Sequence, residues 1–402
     1  MEISKQASSI PASPIRKLAA LAQEKEDSGI TVYHVNFGQP DLETPEEFFN
    51  TLTHDQHKIV SYAPSHGVAE TIDAWRQYLS SYNITFTNKE IVVTTGSSEA
   101  ILFTLHTVAD EGDHILIFEP TYPGYIINAH MRGVKLVPVA LHSENGFHLP
   151  DEKEITKAIT KKTKAIVFCN PANPTGTVYS REEVGVIARI AEKHDLFIIS
   201  DETYREIVFS GEPAVSMMHF PEVRDRVILI DSVSKRFNAC GARIGCLASK
   251  NPDVIKSVTQ YAMGRLSAPL LEQHAVIPLL TNSEPHVRPL IEKYRERRDA
   301  IIEGLKEIPG VKHYTPEGAF YIMATLPVKD IEDFSRWLLE EFTYENETVM
   351  LAPACGFYIS KGKGANETRI AYVLEADKLR RAMEVLKIAL EQYTKQYGKK
   401  VA

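Results

Sequence analysis

Cysteine and tryptophan are scarce: 402 residues hold four of the first and two of the second. The cysteines, Cys169, Cys240, Cys246 and Cys355, form no C-x-x-C pair and have no histidine cluster nearby. Neither a disulfide scaffold nor a zinc site is indicated, and no metal is expected. They read as reduced thiols, mostly buried, in a reducing compartment. No stretch approaches the roughly 18 to 20 apolar residues of a membrane span. The opening Met1-Glu2-Ile3-Ser4-Lys5 lacks the apolar core of a signal peptide. The expected location is the cytoplasm, with no membrane partner. Basic charge is not in excess either, since 45 Lys and Arg face 53 Asp and Glu, a net charge of −8. That argues against a global grip on nucleic acid and leaves room only for a local basic pocket. Internal repeats and low-complexity segments are absent.

What is present is ordinary in bulk: 44% hydrophobic and 24% charged residues, as in a globular protein. The length suits two or three domains. In the middle of the chain, short apolar runs alternate with helical patterns. Candidate strands are Ile91 to Val93, His114 to Phe118, Lys135 to Val139, Ala165 to Phe168, Leu196 to Ile199 and Val227 to Ile230. Their nearly continuous apolar character suits strands buried on both faces. Ser180 and Glu183 form a capping box, and Val184, Ile187, Ile190 and Ala191 then make one apolar stripe. Ser97-Ser98-Glu99 opens another helix, with Ile101, Leu105 and Val108 on one face. Strand and helix in alternation predict an α/β domain with a largely parallel sheet, at residues 46–285. Residues 7–26 read as a helix broken by Pro11 and Pro14. Long charged helices are expected at Arg288 to Leu305 and Asp377 to Gln396. Residues 1–45 with 286–402 are expected to form a smaller α+β domain.

In open α/β sheets, ligands bind outside the carboxyl ends of the strands. After Val93 come Gly96, Ser97 and Ser98 at a helix start, either an anion site or a plain cap. After Phe118, Tyr122 stands in a Pro/Gly loop, either to stack on a planar ligand or to pack as a turn tyrosine. After Phe168, Asn170-Pro171-Ala172-Asn173-Pro174 fixes an extended loop that can present the Asn173 amide. Asp201 ends the next strand, as a partner for a cation on a ligand or as a helix cap. After Ile230 come Ser232, Ser234 and Lys235, then Arg243. A lysine there can lose its proton and attack a carbonyl, with Ser232, Ser234 and Arg243 holding a phosphate beside it. A Schiff-base lysine, a carboxylate for a pyridinium nitrogen, phosphate donors and a stacking aromatic together are what pyridoxal phosphate requires.

The same chain carries Asn36-Phe37-Gly38-Gln39-Pro40-Asp41, Tyr62-Ala63-Pro64-Ser65-His66-Gly67, Thr95-Gly96-Ser97-Ser98-Glu99-Ala100, Asp201-x-x-Tyr204, Ser232-x-Ser234-Lys235, Gly241-x-Arg243-x-Gly245, Pro316 to Tyr321 and Thr368-Arg369-Ile370. With these motifs in this order, the sequence resembles the class I/II aminotransferases of fold type I, of the aspartate aminotransferase kind. The resemblance covers nearly the whole length. It implies a mostly parallel seven-stranded sheet between helices, and pyridoxal 5′-phosphate as cofactor. It implies that Lys235 forms the Schiff base and then shuttles the proton at the substrate Cα. Asp201 would pair with the pyridine nitrogen, Tyr204 and Asn173 would bond the ring oxygen, and Tyr122 would stack on the ring. Gly96, Ser97, Ser98, Ser232, Ser234 and Arg243 would bind the phosphate. Tyr62 would reach the phosphate of a neighbouring subunit, which implies a homodimer; without the resemblance, it reads as a core tyrosine. Arg369 would pair with the substrate α-carboxylate, helped by Asn173 and Gly38.

Certain bacterial relatives carry a lysine after the glycine equivalent to Gly96 to hold an acidic side chain, and Ser97-Ser98-Glu99 has none. Arg265 is a candidate to approach the site from the partner subunit, with a structural arginine as the alternative. Lys361-Gly362-Lys363-Gly364 reads as a surface loop near the site entrance, since it lacks the Lys-Ser/Thr of a P-loop. The expected reaction moves an amino group between an L-amino acid, aspartate first, and a 2-oxo acid such as 2-oxoglutarate. Aromatic amino acids or alanine are alternative substrates, and β-elimination from an S-substituted cysteine is an alternative reaction on the same cofactor residues. A regulator that only senses the cofactor is disfavoured, because the motifs begin by residue 36 and the catalytic set is complete.

Overall fold

Strand β1 (Thr31–His34) precedes seven strands that build the central sheet. These are β2 (Ile91–Thr94), β3 (His114–Glu119), β4 (Lys135–Ala140), β5 (Thr163–Cys169), β6 (Phe197–Asp201), β7 (Val227–Ser232) and β8 (Gly245–Ser249). The computed structural model describes residues 1–55 and 58–397. The sheet order is β2-β8-β7-β6-β5-β3-β4. The pairs from β7 to β4 are parallel, and β8 runs antiparallel to both of its neighbours.

The sheet's two faces feed separate cores, as the two-residue period of a strand requires. Val93, Leu116, Ile166, Ile198 and Leu229 point to one face and pack with Trp75, Ile187 and Phe237. Val92, Ile117, Val167, Ile199 and Ile228 point to the other and pack with Ile101, Leu105 and Val258. All are nearly inaccessible to solvent. Burial of each large apolar side chain stabilises by roughly 1.5–3 kcal/mol. The six strands expected from the sequence are all present. The seventh, β8, escapes notice because Gly245-Cys246-Leu247-Ala248-Ser249 has no β-branched residue and starts on a glycine.

The helices follow their start signals. In the Arg181–His194 helix, Ser180 Oγ accepts from the Glu183 amide at 3.2 Å and Glu183 Oε2 accepts from the Ser180 amide at 2.8 Å, the expected reciprocal cap. The N-terminal segment forms two helices, Lys5–Ser9 and Ala19–Asp27, with Pro11 and Pro14 in the break. None of the described helices is long and apolar enough to cross a membrane.

Beyond the central sheet lie β9 (Lys312–His313), β10 (Tyr321–Thr325), β11 (Glu347–Met350), β12 (Ala352–Pro353) and β13 (Glu367–Ala371). Four of these make an antiparallel sheet in the order β12-β13-β10-β9. β11 instead pairs in parallel with β1, which joins the two ends of the chain. The helices Glu284–Lys306 and Ala376–Tyr397 supply Ile301, Leu305, Leu379 and Leu386 to a third core with Phe320, Ile322 and Ile370. On this separate core we propose the division into residues 46–285 and residues 1–45 with 286–402. The junction is packed, because Met323 and Phe357 join the first core and Tyr204 joins the third.

Candidate active site

The carboxyl ends of β2, β3, β5, β6 and β7 share one edge of the sheet. The antiparallel β8 begins at that same edge, with Gly245 opposite both Thr94 and Ser232. Arg243 therefore joins the strand-end residues although it precedes a strand rather than follows one. A cleft of about 530 Å³ opens there. Of the residues singled out from the sequence, Gly38, Ser97, Ser98, Tyr122, Asn173, Asp201, Tyr204, Ser234, Lys235, Arg243 and Arg369 line it.

Lys235 stands on the short Val233–Arg236 helix directly after β7. Its Nζ donates to the Gly38 carbonyl at 2.7 Å and lies 3.7 Å from Cys240 Sγ. Asp201, at the end of β6, is buried. It accepts from Thr203 Oγ1 at 2.7 Å and from Tyr125 Oη at 3.0 Å, and no ion pair to it exists among the described residues. Burial, only partly offset by these hydrogen bonds, raises its pKa above the ordinary carboxylate value. A buried carboxylate without a cation suits a ligand that brings its own cationic N–H.

The opposite wall holds Arg369, on β13. Nη1 donates to Asn173 Oδ1 at 3.1 Å and Nη2 to the Asn36 carbonyl at 2.7 Å. The guanidinium sits 4.3 Å from the Tyr321 ring and 4.9 Å from the Phe357 ring. Burial lowers its pKa, yet it stays an obligate cation. Its Nε is buried without a hydrogen-bond partner, which a ligand carboxylate can supply. Tyr204 Oη lies 2.8 Å from Tyr321 Oη, and burial together with that neighbour pushes the Tyr204 phenol well up.

Near the N-terminus of the Gly96–Val108 helix the lining changes to small polar residues. Ser97 and Ser98 offer first-turn amides, and Arg243 reaches the Thr95 carbonyl at 3.3 Å. A Cβ on Gly96 would come within 2.5 Å of Arg243 Nη2, so only glycine leaves the guanidinium in place. Arg243 itself sits at φ +56°, a left-handed conformation that costs about 1–2 kcal/mol for such a residue. Helix amides, a serine hydroxyl and an arginine together make an anion cradle.

Four sequence candidates lie off the lining: Gly96, Ser232, Tyr62 and Arg265. Ser232 is wholly buried: its Oγ contacts Ser234 Oγ at 2.7 Å and donates to the Ile244 carbonyl at 3.1 Å. It stands behind Ser234, as the cap of the lysine helix, rather than in the cleft. Tyr62 is 80% exposed and is no core tyrosine in this chain. Arg265 is held within its own chain, on Glu99 at 3.1 Å and the Val93 carbonyl at 3.0 Å. Several residues of the lining had no role assigned from sequence, among them Arg16, Thr203, Cys240 and Tyr321. Tyr125, the buried partner of Asp201, was also missed; its three-residue spacing from Tyr122 on one helix was the available signal.

Comparison with known proteins agrees with this geometry. Residues 31–386 match the family model of aminotransferase class I and II. The aspartate aminotransferase of Bacillus subtilis is 30% identical over 405 residues, covering 98% of this chain and all of that one. The solved structure of aspartate aminotransferase from Thermus thermophilus with maleate superposes with a TM-score of 0.88 at 28% identity, covering 97% of this chain and 100% of that one. An alanine aminotransferase from Pyrococcus furiosus superposes equally well, with a TM-score of 0.88 at 28% identity and the same coverage. The donor set fits the family's cofactor: Asp201 lacks a cation, the helix end and Arg243 form an anion cradle, and the Lys235 amine lines the same cleft. The chain belongs to the class I and II aminotransferases and depends on pyridoxal phosphate.

Proposed function

We propose that the protein transfers an amino group between L-aspartate and a 2-oxo acid such as 2-oxoglutarate, acting as a cytoplasmic homodimer. Pyridoxal phosphate, when bound, supplies the sink for the electron pair left as the substrate loses its Cα proton. Lys235 takes that proton and returns it. Arg369 grips the α-carboxylate, with Asn173 and Gly38 fixing its orientation. Asp201 holds the ring nitrogen in its protonated form, kept in place by Thr203 and Tyr125. Tyr204 and Asn173 bond the ring oxygen, and Tyr122 stacks on the ring. Gly96, Ser97, Ser98, Ser234 and Arg243 hold the phosphate, and Ser232 acts by fixing Ser234. Tyr62, exposed on this chain, reaches the phosphate site of the partner protomer.

The observation that carries this reading is the meeting of Lys235, Asp201, Arg243 and Arg369 in one cleft. Aspartate is favoured because the lining has four basic side chains and one acidic, and because relatives over the full length bear that name. Four free thiols support the reducing compartment. The test is the absorbance spectrum of the cofactor-loaded protein titrated, without a 2-oxo acid, with L-aspartate, L-alanine, L-tyrosine and L-phenylalanine. Conversion of the cofactor to its amine form by the lowest concentration of aspartate is expected. Conversion by another amino acid alone would replace the substrate.

A further inference from the structure

The cleft holds one cation that the proposed roles leave unused. Arg16 lines it, and its guanidinium lies 5.0 Å over the ring of Phe37. No carboxylate among the described residues pairs with it. Lys235, Arg243 and Arg369 each have a task in transamination, but Arg16 has none.

The placement of Arg16 is built. Pro14 packs so closely on Gly356 that a Cβ there would come within 2.4 Å of the proline ring. The Ile15 carbonyl accepts from Asn36 Nδ2 at 2.8 Å. Lys17 pairs with Glu332. The residues on both sides of Arg16 are thus tied down, while its own charged end is exposed at the cleft.

The same short segment serves three cations. The carbonyl of Asn36 accepts from Arg369, the ring of Phe37 lies under Arg16, and the carbonyl of Gly38 accepts from Lys235. The two arginines thus contact neighbouring residues, Asn36 and Phe37, and both line the cleft. Asn36 also connects the strand of Arg369 to the residue before Arg16, since its carbonyl accepts from Arg369 and its side chain donates to the Ile15 carbonyl. A substrate gripped by Arg369 at one carboxylate would find Arg16 as the partner for a second.

We infer that Arg16 binds the distal carboxylate of a dicarboxylic substrate and sets the enzyme's preference for acidic over neutral amino acids. This rests on the reading of the cleft as a transamination site with Arg369 on the α-carboxylate. It assigns the side-chain contact to the N-terminal segment of the same chain. Arg265, by contrast, is committed to Glu99 and Val93.

The test is calorimetric titration of the cofactor-loaded protein with succinate and with butyrate, which match in length but differ by one carboxylate. Wild-type protein is expected to bind succinate the more tightly. In Arg16→Met, which keeps an apolar stem on Phe37, succinate affinity should fall roughly 10- to 100-fold, the worth of a charge-assisted contact. Butyrate should move less than about threefold, and Arg16→Lys should recover part of the loss. A succinate preference retained in Arg16→Met would overturn the role of Arg16 and leave the acidic substrate standing. Equal wild-type affinities would overturn both. Equal losses for both ligands would also overturn it, as the mark of a merely structural residue.

Discussion

Arg369 Nη1 donates to Asn173 Oδ1 at 3.1 Å, which ties strand β13 to the loop after β5 within the buried lining of the cleft. The guanidinium also lies within 5 Å of two aromatic rings, and its Nε has no hydrogen-bond partner. A lysine cannot reproduce that fork. Arg369→Lys is therefore expected to lower kcat/KM for the amino acid by roughly 30- to 1000-fold, mostly through KM. Steady-state kinetics at saturating 2-oxo acid checks this, and a change under threefold would remove Arg369 from substrate binding.

Gly38 is a close-approach glycine. A Cβ there would lie 1.9 Å from Tyr321 Oη. That hydroxyl bonds Tyr204, and the same ring supports Arg369. Gly38→Ala should displace the ring and cost roughly 100-fold in kcat/KM, as misplacement by about an ångström does. Tyr321→Phe removes the nearest atom of the clash. The double variant should recover part of the loss, and a strictly additive double variant would contradict this coupling.

Asp201 is raised by burial, so over part of the pH range the folded, cofactor-free protein carries a proton there that the unfolded chain has lost. Stability of the cofactor-free protein should fall as pH rises from about 4, the unfolded value, through the folded one. Asp201→Asn removes that term. It should melt above cofactor-free wild type at pH 7 and show a shallower slope in that window. Its affinity for pyridoxal phosphate should drop, roughly 10- to 100-fold. Thermal scans across pH, with and without cofactor, test both; a lower melting point without cofactor would contradict the assignment.

Legibility followed the backbone. The six apolar strands, the capping box at Ser180 and the strand-end residues could be read because burial and capping leave local patterns. β8 could not, since it has no β-branched residue and starts on a glycine. Tyr125 and Tyr321 carry little signal of a role in sequence, because their partners, Asp201 and Tyr204, come from other parts of the chain. Arg16 sits in a proline-broken stretch that reads as an irregular helix. Ser232 and Ser234 read alike in sequence, and only the fold places Ser234 in the cleft while Ser232 donates to the Ile244 carbonyl.

The least legible feature is a buried charge network behind the lysine. Arg205 and Arg236 meet Glu202, Glu206 and Asp231, all nearly inaccessible to solvent. In sequence these look like solvated loop charges. Arg236 follows Lys235 directly, so the network anchors the lysine helix. Arg236→Met leaves Asp231 and Glu206 without one counter-ion and should destabilise by about 3–5 kcal/mol. Denaturant unfolding measures it, and a loss below about 1 kcal/mol would show that the pair is not a support.

The central claim is that the cofactor is held covalently by Lys235 in this cleft. Lys235→Ala should lose transamination by about 10⁴-fold or more, having lost both nucleophile and base. The most direct measurement is borohydride reduction of the cofactor-loaded protein, followed by peptide mass mapping. The expected result is a single pyridoxyl-modified peptide, the one containing Lys235. Modification of a different lysine, or none in a protein that still transaminates, would contradict the account.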